Sequence, residues 1–146
     1  VKVVAQNRRA RFDFEILDTV EAGIMLTGQE VKSCRLGHAN LAGAYVSFLN
    51  GKAILKHAFI SPYSYALPLP DYDPDRDRPL LLSKKEMEKL DAMTAEKGVT
   101  VVPLEVRAGT FIKVLLGVAR GRKRIDKRQR IKERETARKI REGKEY

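Results

Sequence analysis

Apolar and charged residues alternate from Phe12 to Ile16, a period of two that a half-buried strand requires, so the first predicted strand is FDFEIL. Glu21-Ala22-Gly23 is expected to interrupt it before Ile24 to Leu26 resumes as a second apolar run, closed by Gly28. The octet EVKSCRLG then reads as a short helix, with Val31, Cys34 and Leu36 inward and Gly37 in the stop position. AYVSFL and KAILKHAFI flank Asn50-Gly51, which favours a two-residue hairpin because both turn positions need a positive φ. His57 is expected within the second of these strands.

From Ser61 to Pro79 five prolines and several acids end any sheet pattern, so this stretch is expected to be a loop. Ser83, with Glu86 three residues later, predicts a capping-box helix over SKKEMEKLDAMTAEKG, ended by Gly98, with Met87, Leu90 and Met93 or Thr94 inward. VTVVPLEVRAG and TFIKVLLGVAR add two strands, and Pro103 implies a bulge or an edge. The pattern predicts a mainly β domain, a closed six-stranded antiparallel oligonucleotide-binding-like barrel with short helices after the second and fourth strands plugging its ends.

Charge changes this picture at one end. Gly121 to Tyr146 holds 12 Lys and Arg against 5 Asp and Glu, so +7 of the chain's formal +10 lies in 26 of 146 residues. The expected organisation is a barrel over 1–120 and a basic tail over 121–146. The tail has few aliphatics, which predicts disorder in isolation. It also lacks proline and carries acid-first i,i+4 pairs at Asp126/Arg130 and Glu135/Lys139, which predict a helix once a polyanion supplies counter-charge.

Other chemistry is sparse. Cys34 is the lone cysteine, fitting a reducing cytoplasm and a small core residue rather than a nucleophile. With only His38 and His57 beside it, no Cys/His metal cluster can be assembled. Asp71, Asp73 and Asp75 imitate a calcium loop, but Arg76 and Leu82 stand where such a loop needs Gly and Glu. No apolar run approaches a membrane span, no secretory signal is seen, and the missing initiator Met suggests an N-terminus that is trimmed or only partly present. No cofactor is expected, and the absence of a P-loop, a dinucleotide fingerprint or a Ser/His/Asp set argues against an enzyme.

Taken in order, NRRARFDFEIL, EAGIMLTGQEVKSCRLGHANL, DPDRDRPLLL, GVTVVPLEV, KVLLGVARGRK and DKRQRIKERE resemble the small protein B family, the tmRNA-binding factors of bacterial trans-translation. The resemblance implies a noncatalytic barrel that grips the tRNA-like domain of tmRNA and delivers it, with elongation factor Tu, to the empty A site of stalled ribosomes. It places RNA contacts on Asn7, Glu21, Leu81 and Lys113, with Arg8 and Arg11 of the basic lead-in beside them. In the tail it places ribosome contacts on Gly121, Arg122, Lys123, Asp126, Lys127, Arg128, Ile131, Lys132 and Arg134, against small-subunit rRNA of the decoding centre and the vacant mRNA channel. Two positions depart from the family pattern. Ile125 stands where relatives often carry a stacking His or Tyr, and Pro79 where a basic residue is common.

Two other classes fit the residues alone. A structural ribosomal protein also pairs a small β domain with a basic arm. An RNA-processing enzyme would draw its general bases or metal ligands from Glu21, Glu30 or the acids between Asp71 and Asp77.

Overall fold

The computed structural model describes residues 1–63 and 71–121. In chain order the elements are β1 Lys2–Gln6, α1 Arg8–Asp13, β2 Phe14–Ile24, α2 Gly28–Arg35, β3 Ala39–Asn40, β4 Tyr45–Leu49, β5 Lys52–Lys56, β6 Phe59–Ile60, β7 Arg78–Leu81, α3 Lys84–Thr94, β8 Val99–Ala108 and β9 Ile112–Gly121. Seven strands form one antiparallel sheet in the order β1-β8-β9-β2-β7-β5-β4, and β3 pairs with β6.

The chain is mainly β, but the expected closed six-stranded barrel is not what forms. The sheet is open: β1 and β4 are its two ends and share no ladder. The reason lies on β8. Its ladder to β9 slips between Pro103 and Glu105, Pro103 supplies no N–H, and β1 pairs only with Glu105 to Ala108. The carbonyls of Pro103 and Leu104 are taken by Asn7, through its Nδ2 at 2.9 Å and its backbone N–H at 2.8 Å. A helix cap therefore occupies the place on β8 where a closing strand would continue.

Asn7 also moves the first element. Its Oδ1 accepts from the Ala10 N–H at 3.1 Å, making it the N-cap of α1, so Phe12 and Asp13 are helical and the strand starts only at Phe14. Glu21-Ala22-Gly23 does not interrupt that strand. Val20 and Ala22 point into the core while Glu21 points out, and β2 runs unbroken for 11 residues.

Helix α2 begins earlier than its apolar spacing suggests, because Thr27 and Glu30 form a capping box: each side chain accepts from the other residue's backbone N–H. Cys34 is buried, but Leu36 is half exposed rather than inward, and Gly37 follows at φ +81°. The hairpin turn falls on Asn50 and Gly51, at φ 52° and 74°. His57 is not in a strand; it sits at φ 60° after β5 ends, with its ring 5.4 Å from that of Tyr45. Pro79, placed in the loop by its sequence, lies in β7, where its carbonyl accepts from the Met25 N–H. The Ser83/Glu86 capping box starts α3, and Leu90 is its fully buried residue.

Candidate nucleic-acid interface

The inner face of the sheet carries the main core, including Leu55, Leu90, Val101, Val114, Leu116 and Val118. Helix α1 lies on the opposite, outer face and covers its near half. There Ala10 packs with Val102, Leu104 and Ala119, flanked by Phe14, Ile16 and Leu115. The bulge on β8 puts Leu104 under the helix, and Gly117 makes room for it: a Cβ on Gly117 would stand 2.8 Å from Leu104 Cδ1.

Among the described residues, no helix lies over the far half of the outer face. Register places Arg107 of β8 opposite Lys113 of β9, Lys113 opposite Gly23 of β2, and Gly23 opposite Leu81 of β7, in one row across four strands. Gly23 contributes no side chain, so Leu81 lies over it, 3.2 Å from where a Cβ would be, and remains 57% exposed. Glu21 stands one position along the same face, opposite Leu115. Beyond Leu81 the face continues into a groove of about 780 Å³ lined by Met25, Lys52, Ile54, Pro79 and Met87.

The charges on this face are arranged rather than scattered. Arg107 donates from Nε to Glu105 at 3.0 Å and from Nη1 to Glu21 at 3.2 Å, and Arg11 donates to the other oxygen of Glu105 at 3.2 Å. The hydrogen bond to Glu105, with the one to Glu21, raises the Arg107 pKa above its ordinary value. Lys113, by contrast, is in no ion pair among the described residues. The face thus presents an unpaired ammonium, a carboxylate bonded by one arginine and an exposed leucine on three neighbouring strands, β9, β2 and β7. Such a set suits a phosphate, a polar base edge or ribose hydroxyl, and an unstacked base respectively.

The strand that carries Leu81 is held by a buried ionic network. Arg78 is fully buried and reaches Glu30 of α2, with Nη2 to Oε2 at 2.7 Å. It also donates to the carbonyls of Ala58, Arg76 and Pro74 and to the Tyr72 hydroxyl, which donates in turn to the Ile60 carbonyl at 2.8 Å. Arg76 closes the set by pairing with Glu30 from the other side. Burial alone would raise the Glu30 carboxyl, but hydrogen bonds from Arg76, the Thr27 N–H and Arg78 hold it down at about 2. A carboxylate so engaged is no general base, which removes Glu30 from the enzyme reading. Burial pushes the Cys34 thiol up to about 11, so that residue is no nucleophile either.

The family model described as "SmpB protein" matches residues 4–145. The chain belongs to the SmpB family. An SsrA-binding protein from Synechococcus sp. (strain JA-3-3Ab) is 51% identical over 141 residues, 96% of this chain and 92% of the relative. One from Coprothermobacter proteolyticus is 48% identical over 147 residues, covering 99% and 98%. Among solved structures, a chain described under "tmRNA-SmpB: a journey to the center of the bacterial ribosome" is similar at a TM-score of 0.70 and 41% identity, covering 90% of this chain and 95% of that one.

Of the RNA contacts expected for an SmpB-like chain, the structure brings Glu21, Leu81 and Lys113 together on the free half-face. It does not bring Asn7 there. That residue is 5% exposed and spends its amide on Ala10 and Pro103. Arg8 is exposed at the start of α1, and Arg11 reaches the site only through Glu105. Gly121 ends β9, opposite Phe14. The other tail positions expected to meet the ribosome, Arg122, Lys123, Asp126, Lys127, Arg128, Ile131, Lys132 and Arg134, lie outside the described residues, as does Ile125. Arg107 and Glu105 were missed in the sequence because nothing local links them to Glu21, 86 residues from Arg107. The T-x-x-E of Thr27 to Glu30 was the available signal for the start of α2.

Proposed function

We propose that the chain is a noncatalytic RNA-binding factor of trans-translation. Its sheet grips the tRNA-like domain of tmRNA, and its basic tail engages small-subunit rRNA in the decoding centre and vacant mRNA channel of a stalled ribosome, in the cytoplasm, with elongation factor Tu accompanying the complex. The open sheet keeps the oligonucleotide-binding character expected of a barrel, because its outer face needs no closure to receive RNA. The observation that carries the reading is Lys113, unpaired among the described residues and set in one row with exposed Leu81 on the half-face that α1 leaves free. Membership of a family whose relatives are called SsrA-binding proteins supports it.

The test is a titration of tmRNA transcript at several salt concentrations. Lys113→Ala should weaken binding and reduce the slope of log K against log salt by about 0.7 to 0.9, one phosphate's worth of released counterion. Leu81→Ala should weaken binding with no change of slope. A Lys113→Ala protein that binds with wild-type affinity and slope takes this face out of the complex.

A further inference from the structure

We infer that Arg107 is a positioning residue of the RNA site: it holds Glu21 and so keeps Lys113 unpaired for a phosphate. The inference rests on the reading of Lys113 and Glu21 given above. Lys113 pairs with Gly23 and Glu21 with Leu115, so Glu21 and Lys113 are diagonal neighbours on β2 and β9. Diagonal positions of an antiparallel pair lie about 7 to 8 Å apart, within reach of two long side chains. Left alone, the carboxylate and the ammonium would pair, and each would be withdrawn from RNA.

Arg107 prevents this in two ways. It stands directly opposite Lys113, and like charges at that spacing repel. It also takes Glu21 Oε2 at 3.2 Å, drawing the carboxylate across β9 toward β8. Arg107 is itself anchored: its Nε is fixed on Glu105 Oε2 at 3.0 Å, and Glu105 is fixed through Oε1 by Arg11 at 3.2 Å. The four side chains form an alternating relay, Arg11 to Glu105 to Arg107 to Glu21, whose last member is the proposed RNA contact. An Arg suits the third place better than a Lys because its planar fork bonds two carboxylates from separate nitrogens. The relay gives Arg11 a part in RNA binding that its distance along the chain from Lys113 does not suggest.

The experiment is a double-mutant cycle on tmRNA transcript binding with the full-length protein, using Arg107→Gln, Glu21→Gln and both together, each across a salt series. Arg107→Gln should weaken binding on the order of five- to tenfold. Because Arg107 acts through Glu21, the double variant should bind no more weakly than Glu21→Gln alone. Arg107→Lys, which keeps one bond to Glu21, should recover part of the loss. If the two losses multiply and Arg107→Gln lowers the salt slope by about 0.7 to 0.9 even in the Glu21→Gln background, where Lys113 has no carboxylate to pair with, Arg107 touches a phosphate itself and the positioning role is wrong. If Arg107→Gln binds like wild type while Lys113→Ala and Glu21→Gln are impaired, the relay is wrong and the site stands. If all three bind like wild type, the site itself is wrong.

Discussion

Glu30 and Arg78 form an ion pair 48 residues apart in sequence, 2.7 Å long, with both side chains at 1% exposure or less. It joins α2 to the strand bearing Leu81, so the proposed RNA face depends on it without displaying it. Removing one partner leaves the other charge buried, which costs about 3 to 5 kcal/mol. Glu30→Gln should therefore lower the urea midpoint sharply. The acid limb gives an independent check. The carboxyl is at about 2 in the folded chain against 4.5 ordinarily, so its contribution is complete above pH 4.5 and is lost as pH falls toward 2. Wild-type stability should converge on that of Glu30→Gln over this window. Parallel curves would mean that Glu30 is not held as an ion.

Asn7 should prove to be a stability residue. Asn7→Ala removes the α1 cap and the donor to the Pro103 carbonyl together, for about 2 to 3 kcal/mol in all. Any loss of tmRNA affinity should track unfolding and disappear at low temperature, with the salt slope intact. Full stability combined with weakened binding would return Asn7 to the RNA contacts.

Gly117 and Leu104 are coupled by shape. Gly117→Ala forces the buried Leu104 side chain aside, costing about 1 to 3 kcal/mol. In a Leu104→Ala background the same change should cost much less, because the obstructing atoms are gone. Equal costs in both backgrounds, measured by urea denaturation, would mean that the bulge does not press Leu104 onto Gly117.

These contacts show where sequence reasoning reached and where it stopped. Asn50-Gly51, the Ser83/Glu86 box and the bulge at Pro103 were legible because each is decided by a residue's own backbone chemistry within a few positions. The start of β2 was misread because the alternation of Phe12, Asp13 and Phe14 looks extended, while Asn7 caps a helix that spends Phe12 and Asp13 first. Closure was misread for a related reason: Asn7 meets Pro103 across 96 residues, and no local pattern reports such a meeting. Glu21, Leu81 and Lys113 came from resemblance, and the sheet register supplies the physical account of how they come to lie on one face. Arg107 needed the register to be seen at all.

The last prediction separates the sheet from the tail. Residues 126–146 hold 9 Lys and Arg against 5 Asp and Glu, so if this part of the tail helped to bind tmRNA, its loss would remove several counterions from the salt slope. The proposed division of labour requires the opposite. Deleting 126–146 should leave both affinity for tmRNA transcript and its salt slope near wild type, because the contacts assigned to that RNA lie on β2, β7 and β9. Peptide tagging on ribosomes stalled at the end of a truncated message should nevertheless be abolished, since the deletion removes Asp126, Lys127, Arg128, Ile131, Lys132 and Arg134. Ile131→Pro makes the same cut more narrowly: it forbids helix at that point at a cost of about 3 kcal/mol, over two decades in an equilibrium, and leaves the charge unchanged. Tagging lost in both variants with tmRNA binding kept would establish the division and the need for helix together. A slope lowered by two or more in the deletion would place the tail on tmRNA itself, and normal tagging by Ile131→Pro would mean that the tail acts by charge without folding.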